Sequence, residues 1–178
     1  MRPRAWIVGA GLLLLAPLRA AGLPDKPVWP LTLREGLPAA LPGYAAAPSD
    51  PLPEESENEM GAHVEVSRFF QRIESKTSTH QFRLAIQDYG SGKDLAGALR
   101  KAFTEAKRAG GVETRELEIS GHKAFVVTDR SSGNPTTLIT VIVTPSRLVL
   151  GQGANVSGEE AAVLVRTVDF AKVAAVKR

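Results

Sequence analysis

The positions of the prolines divide this chain into two parts. Eight of the 12 prolines lie between Pro24 and Pro53. Proline lacks a backbone N–H and clashes with the preceding helical turn, so this stretch cannot form a long helix or a central strand. We therefore predict an extended, acidic arm or linker over residues 22–60, followed by a folded domain over residues 61–178.

The first 21 residues have the pattern of a secretory signal peptide. Arg2 and Arg4 precede an apolar run from Ala5 to Leu18, and small residues follow it. The run is 14 residues long, whereas a membrane-spanning helix needs about 20. The pattern predicts a cleaved signal peptide over residues 1–21, export to the periplasm or the cell exterior, and no membrane span after cleavage.

The composition excludes several classes of protein. The chain has no cysteine, which excludes a disulfide scaffold, a thiolate zinc site, an iron–sulfur cluster and a thiol nucleophile. Three of the 22 basic residues and none of the 19 acids lie in the leader, so the remaining chain is close to neutral. A nucleic-acid-binding protein needs a surplus of Lys and Arg, so we predict no nucleic-acid partner.

Apolar residues in the arm are candidate binding residues. Trp29 is the only tryptophan outside the leader, and Leu37, Leu41 and Tyr44 follow it among the prolines. The prolines restrict the arm and so lower the entropy that it loses on docking. Two alternatives stay open: the arm packs permanently on its own domain, or it binds a partner as an extended segment.

The apolar pattern beyond the arm predicts an α+β domain. Alternation predicts strands, an apolar stripe with helical spacing predicts an amphipathic helix, and short connections favour antiparallel neighbours. The predicted order is ββαββββα, a single twisted, mainly antiparallel sheet of about six strands with two main helices, similar to an α/β/α sandwich. The segments that carry this prediction are 64–73, 80–88, 95–106, 113–119, 122–129, 137–144, 147–151 and 157–168. Ser157 with Glu160 three residues later is a capping box, which predicts that Ser157 caps the last of these helices.

Several short motifs carry a resemblance to known proteins. They are Leu37–Tyr44 (LPAALPGY), Gly121–Phe125 (GHKAF), Leu148–Gly151 (LVLG), Ser157–Glu160 (SGEE) and Val168–Phe170 (VDF). Together they resemble a loose group of small exported bacterial proteins of unknown function. That group is similar to the α/β/α sandwich of the photosystem II extrinsic (PsbP-type) subunits. The resemblance covers about residues 37–175 and implies the fold and a non-catalytic binding role, without assigning any functional residue.

One glycine-rich turn is a candidate anion site. Ser91, Gly92 and Lys93 lie after a predicted strand and before a predicted helix, where backbone N–H groups and a lysine can hold an anion. A phosphate-binding loop would need Gly in place of Gln87 and Ser or Thr in place of Asp94. The alternative is an ordinary turn in which Ser91 caps the helix.

The three histidines do not form a predicted metal site. A hairpin closed across residues 74–79 would place His80 opposite Ile73, ten residues along the strand from His63. That separation is about 33 Å at about 3.3 Å per residue. Neither His122 nor any H-E-x-x-H spacing completes a ligand set, so we predict no metal and no cofactor.

The sequence offers no clear catalytic residue. It lacks the G-x-S-x-G motif that places a nucleophilic serine in a sharp turn. Glu116 and Glu118 share a strand face, but the predicted hairpin places Lys123 opposite Glu118, which favours a surface ion pair.

These observations favour a binding protein over an enzyme. We predict an exported, soluble binding or accessory module that contacts an envelope protein or a small ligand through its sheet, loops and arm. The alternative is a hydrolase whose active-site residues are dispersed in the sequence. An enzyme should show polar groups converging in a pocket, whereas a binding module should show an exposed apolar patch.

Overall fold

A computed structural model of the chain describes residues 30–75, 78–90, 94–109, 111–131 and 134–177. The described residues form four helices and one sheet of eight strands. The helices are α1 (Pro30–Arg34), α2 (Leu95–Arg108), α3 (Gly158–Val165) and α4 (Phe170–Ala175). The strands are β1 (Ala45–Ala46), β2 (Glu54–Asn58), β3 (Gly61–Ser75), β4 (Ser78–Asp88), β5 (Val112–Ile119), β6 (His122–Asp129), β7 (Thr136–Thr144) and β8 (Arg147–Ala154).

The sheet is open, and its neighbouring strands are antiparallel. The order is β1-β3-β4-β8-β7-β6-β5, and β2 pairs with β3 on the same edge as β1. The α+β class and the mainly antiparallel sheet are thereby confirmed. No helix in the described part of the chain is long and apolar enough to cross a membrane.

The predicted numbers of six strands and two main helices are wrong, because the arm contributes α1, β1 and β2 and the terminal segment forms α4. The prolines of the arm do not prevent its helix and strands from forming. Pro30 is the first residue of α1, where the missing N–H has no helical partner in any case. Pro53 lies immediately before β2, an edge strand, which is a position that tolerates proline.

One face of the sheet carries the main core, and we call it the helix-covered face. Pairing places one apolar residue from each of five strands in a row across it: Val66, Ile86, Val149, Val141 and Ala124. All five are buried in one cluster with residues of α1, α3 and α4. The period-two alternation of side chains therefore produces a single continuous apolar layer.

The arm packs on the helix-covered face. Leu33, Leu37, Leu41 and Tyr44 are buried members of the main core cluster. The boundary predicted at residue 61 falls inside the β2–β3 hairpin, in which Asn58 pairs with Gly61. The structure therefore contains the packed form of the arm.

The β3–β4 hairpin differs in register from the prediction. His80 pairs with Arg72, not with Ile73. The strands continue to Ser75 and Ser78, and an irregularity between Ile73 and Ser75 shifts the pairing by one residue. Because one residue of shift changes the face of the sheet, His80 lies with Arg72 on the helix-covered side.

The capping and ion-pair predictions give mixed results. Ser157 caps α3 by accepting from the Glu160 N–H, as predicted. The Asp94 side chain caps α2 by accepting from the Gly97 N–H. Glu118 pairs with Lys123 as predicted, but the ammonium binds the diagonal neighbour Glu116 at 2.6 Å and holds the pKa of that carboxyl below its ordinary value.

Candidate functional site

The second face of the sheet is only partly covered. Among the described helices α2 alone lies on it, against β5 and β6, where the rings of Phe103 and Phe125 are 5.1 Å apart. At its start α2 also reaches β8, where Leu95 packs in a cluster with Leu148 and Tyr89; its contacts otherwise centre on β5 and β6. The part of the face over β3, β4 and the rest of β8 lies beyond these contacts. We call this part the open face; its side chains are Glu65, Ser67, Phe69, Gln71, Ile73, Gln81, Arg83, Ala85, Gln87, Leu150 and Gln152.

A chain of paired polar side chains crosses the open face. Arg83 forms an ion pair with Glu65 and donates to the Gln152 carbonyl oxygen at 3.0 Å. Gln87 donates to the second Glu65 oxygen at 2.7 Å. The positive and negative charges at the centre of the face therefore compensate each other, and both side chains are held in place.

Two large apolar side chains lie exposed beside this polar chain. Phe69 is 44% exposed and Ile73 is 68% exposed. They are four residues apart on one strand and so lie on one face, about 13 Å apart along β3. The Arg83 guanidinium lies over the Phe69 ring, 5.6 Å from its centre. The open face thus combines exposed apolar area with fixed polar groups.

The polar chain continues to a corner formed by β2, β3 and the end of β4. The Tyr89 hydroxyl donates to Gln87 and accepts from the Asn58 amide, both at 2.8 Å. Burial raises the pKa of Tyr89 to about 12, although the hydrogen bond from Asn58 acts to lower that pKa. Tyr89 therefore keeps its proton at neutral pH and serves as a donor.

His63 is held in one orientation at this corner. Its ring stacks on Tyr89 with centres 4.7 Å apart, and its Nδ1 lies 3.2 Å from the Gly61 carbonyl oxygen. Because a carbonyl oxygen only accepts, Nδ1 carries the proton and Nε2 accepts from the Ser56 hydroxyl at 3.0 Å. Burial lowers the pKa of His63 below its ordinary 6.5, although the Gly61 hydrogen bond and the Glu65 charge oppose this.

We expect His63 to make the folded state less stable in mild acid. The folded pKa lies below 6.5, so as the pH falls through 6.5 the unfolded chain binds the proton first and stability decreases. Above pH 6.5 the full stability is present. The free energy of unfolding, measured with urea, should fall less between pH 7.5 and pH 5.5 in His63→Gln than in the unsubstituted chain. Equal falls in the two chains would contradict this expectation.

The three predicted site residues that the structure describes do not lie on the open face. Leu37, Leu41 and Tyr44 are buried on the other side of the sheet, where the Tyr44 hydroxyl donates to Glu160 at 2.9 Å. The remaining predicted site residues lie outside the described part of the chain: Trp29, Ser91, Gly92 and Lys93. The predicted anion site therefore stays a prediction. The predicted Ser91 cap is wrong, because α2 begins at Leu95 and its cap is Asp94.

Sequence reasoning missed the open face, although one signal was present. The alternation that begins at Val64 and Val66 assigns the odd positions of β3 to the polar side. Phe69 and Ile73 occupy two of those odd positions. Large apolar residues on the polar side of a strand are the pattern expected of a contact surface.

The described residues show few other candidate sites. They contain no group of three His, Asp or Glu side chains that could hold a metal ion. A cavity of about 270 Å³ lies between the start of α2 and the β7–β8 connection, lined mainly by apolar groups such as Leu95, Ile142 and Pro145. Its one carboxylate, Asp94, already caps α2, so the cavity offers little for specific recognition.

Comparisons of this chain with protein-family models, curated proteins and solved structures find no match. The resemblance to the PsbP-type sandwich stays a prediction.

Proposed function

We propose that the protein is an exported binding or accessory module that contacts an envelope protein or a small ligand through the open face. The observation that carries this proposal is the exposure of Phe69 and Ile73 on one side of one strand. Apolar side chains scattered singly on a surface need no explanation, but two large ones on one face of one strand, beside fixed polar groups, are the pattern expected of a contact surface.

The polar groups around the patch support a binding role. Arg83 is held by Glu65 and Gln152 and lies over Phe69. Side chains that are already fixed lose little entropy when a partner binds, and arginine and aromatic residues dominate many binding surfaces. Because the central charges are paired, the open face favours a partner with an uncharged apolar contact and a polar rim.

Export is part of this proposal and rests on the leader pattern of residues 1–21. A basic start, an apolar run and small residues are typical of a secretory signal. The near-neutral charge of the remaining chain fits a partner recognised by shape and apolar contact more than by charge.

The proposal predicts that two substitutions on the open face abolish partner capture. The double variant Phe69→Ser, Ile73→Ser removes the exposed apolar area and leaves the core unchanged. Each side chain, if central to the contact, contributes about 2 kcal/mol, so we expect recovery of the partner from the envelope fraction to fall at least about tenfold. The thermal transition should stay cooperative, although loss of the contact between Phe69 and Arg83 lowers its midpoint by a few degrees.

The matched control is Val163→Ser, because Val163 is 53% exposed on α3, on the opposite side of the sheet. It should capture the partner as the unsubstituted chain does. Equal capture by the double variant and by this control would refute the open face as the contact surface.

A further inference from the structure

The β2–β3 hairpin brings a serine and a histidine together. Ser56 and His63 are seven residues apart in sequence and directly opposite each other in the antiparallel pair. The Ser56 hydroxyl oxygen lies 3.0 Å from His63 Nε2. This is the separation at which a histidine takes the proton of a serine nucleophile.

The surroundings fix the histidine and leave the serine accessible. The Gly61 carbonyl accepts from Nδ1, which leaves the Nε2 lone pair directed at Ser56. The ring is 4% exposed and stacks on Tyr89. Ser56 itself lies on an exposed strand at the edge of the sheet. A buried, oriented base thus faces a nucleophile that solvent and substrate can reach.

We propose that Ser56 and His63 form a nucleophile–base pair that hydrolyses carboxylic esters, an activity additional to the binding role of the open face. The Ser56 oxygen forms a bond to the ester carbonyl carbon while its proton moves to His63 Nε2. The bond from that carbon to the alcohol oxygen then breaks, and the leaving alcohol takes the proton from Nε2. Water attacks the acyl-serine in the same way, with His63 as base, and releases the carboxylic acid.

Asn58 supplies the donor for the carbonyl oxygen. It lies two residues after Ser56 and therefore on the same side of β2. One N–H of its amide is bonded to the Tyr89 hydroxyl at 2.8 Å, which holds the amide in place. The other N–H is the one that donates to the negative charge developing on the carbonyl oxygen in this proposal, which is the usual role of an amide donor in acyl transfer.

The charge of β2 selects the class of ester. Glu54, Glu55 and Glu57 lie within two residues of Ser56 on an exposed strand, and Glu54 shares its side of β2. Carboxylates near the serine attract a cation and repel an anion. The substrate class is therefore an ester that carries a positive charge, such as an ester with a quaternary ammonium group.

The test uses the purified chain with neutral, cationic and anionic p-nitrophenyl esters. Ser56→Ala should abolish hydrolysis, and His63→Gln should lower the rate at least about 100-fold. Ser49→Ala is the matched control, because Ser49 is also exposed and lies in the same arm; its rate should be unchanged. The alanine variant loses one hydrogen bond to His63, worth about 1 kcal/mol, so its melting temperature should fall by no more than about 4 °C.

Two further readouts separate catalysis from a structural hydrogen bond. A fluorophosphonate probe should label the peptide that contains Ser56 in the unsubstituted chain and not in His63→Gln. At pH 6.5 the rate should keep more than about half of its value at pH 8, because burial holds the pKa of His63 below its ordinary value. Absence of labelling, or hydrolysis by Ser56→Ala at the unsubstituted rate, would overturn this proposal and leave partner capture by Phe69 and Ile73 unaffected.

Discussion

A chain that lacks residues 23–56 is expected not to fold. The deletion removes Leu33, Leu37, Leu41 and Tyr44, all of which are buried in the main core cluster. Truncating one large buried side chain costs about 2–5 kcal/mol, and a whole domain is stable by only about 5–15 kcal/mol. Circular dichroism should therefore show no cooperative thermal transition for the deleted chain.

Two single variants serve as controls for the deletion. Leu37→Ala should lower the free energy of unfolding by about 2–5 kcal/mol. Leu52→Ala should change it by less than about 0.5 kcal/mol, because Leu52 is 84% exposed in the same arm. A deleted chain that melts within a few degrees of the full chain would contradict permanent packing and would favour an arm that binds a partner.

Asp88→Ala is expected to cause the second large loss. Asp88 and Arg147 form an ion pair at 2.9 Å, and their side chains are 0% and 5% exposed. The same guanidinium donates to the carbonyl of Val173 at 2.8 Å and so holds α4. Removing one partner leaves an uncompensated buried charge, which costs about 3–5 kcal/mol. Urea unfolding monitored by circular dichroism measures this loss.

A double variant distinguishes a buried charge from lost packing. Replacing a whole buried ion pair by apolar residues of similar volume is often nearly neutral. Asp88→Leu combined with Arg147→Met should therefore be more stable than Asp88→Ala alone. The same or a larger loss in the double variant would show that the pair, together with the Arg147 hydrogen bond to Val173, stabilises the fold. Glu113→Ala, which breaks an exposed ion pair with Arg130, should leave the unfolding midpoint almost unchanged.

Local sequence patterns predicted the elements whose own residues carry the signal. The alternating residues of β6 predicted the bounds His122–Asp129 that the structure shows. Ser157 with Glu160 three residues later predicted the start of α3. In these segments the hydrophobic period and the cap act within a few residues, so the sequence alone indicates the structure.

The strand β2 could not be predicted in this way. Its residues Glu54–Asn58 are all polar and exposed, so they show no hydrophobic alternation. The strand forms because β3 supplies hydrogen-bond partners along its edge, and the short turn between Asn58 and Gly61 brings the two strands together. The stabilisation of β2 therefore comes from β3, and a pattern within residues 54–58 alone does not reveal it.

The candidate sites depend on register in the same way. Ser56 meets His63, and Glu65 meets Arg83, only because of particular pairings in two hairpins. A shift of one residue in either hairpin would send one partner to the other face of the sheet. The predicted pairing of His80 with Ile73 is wrong by one residue, because the register of a hairpin depends on the length of its connection.

Site-specific photo-cross-linking tests the central claim, that the open face contacts a partner, most directly. A benzophenone side chain at position 69, in the chain expressed in its own host, should cross-link to one partner on irradiation. The same side chain at position 163, on the opposite side of the sheet, should give no cross-link. Equal cross-linking from both positions, or none from position 69, would contradict the account.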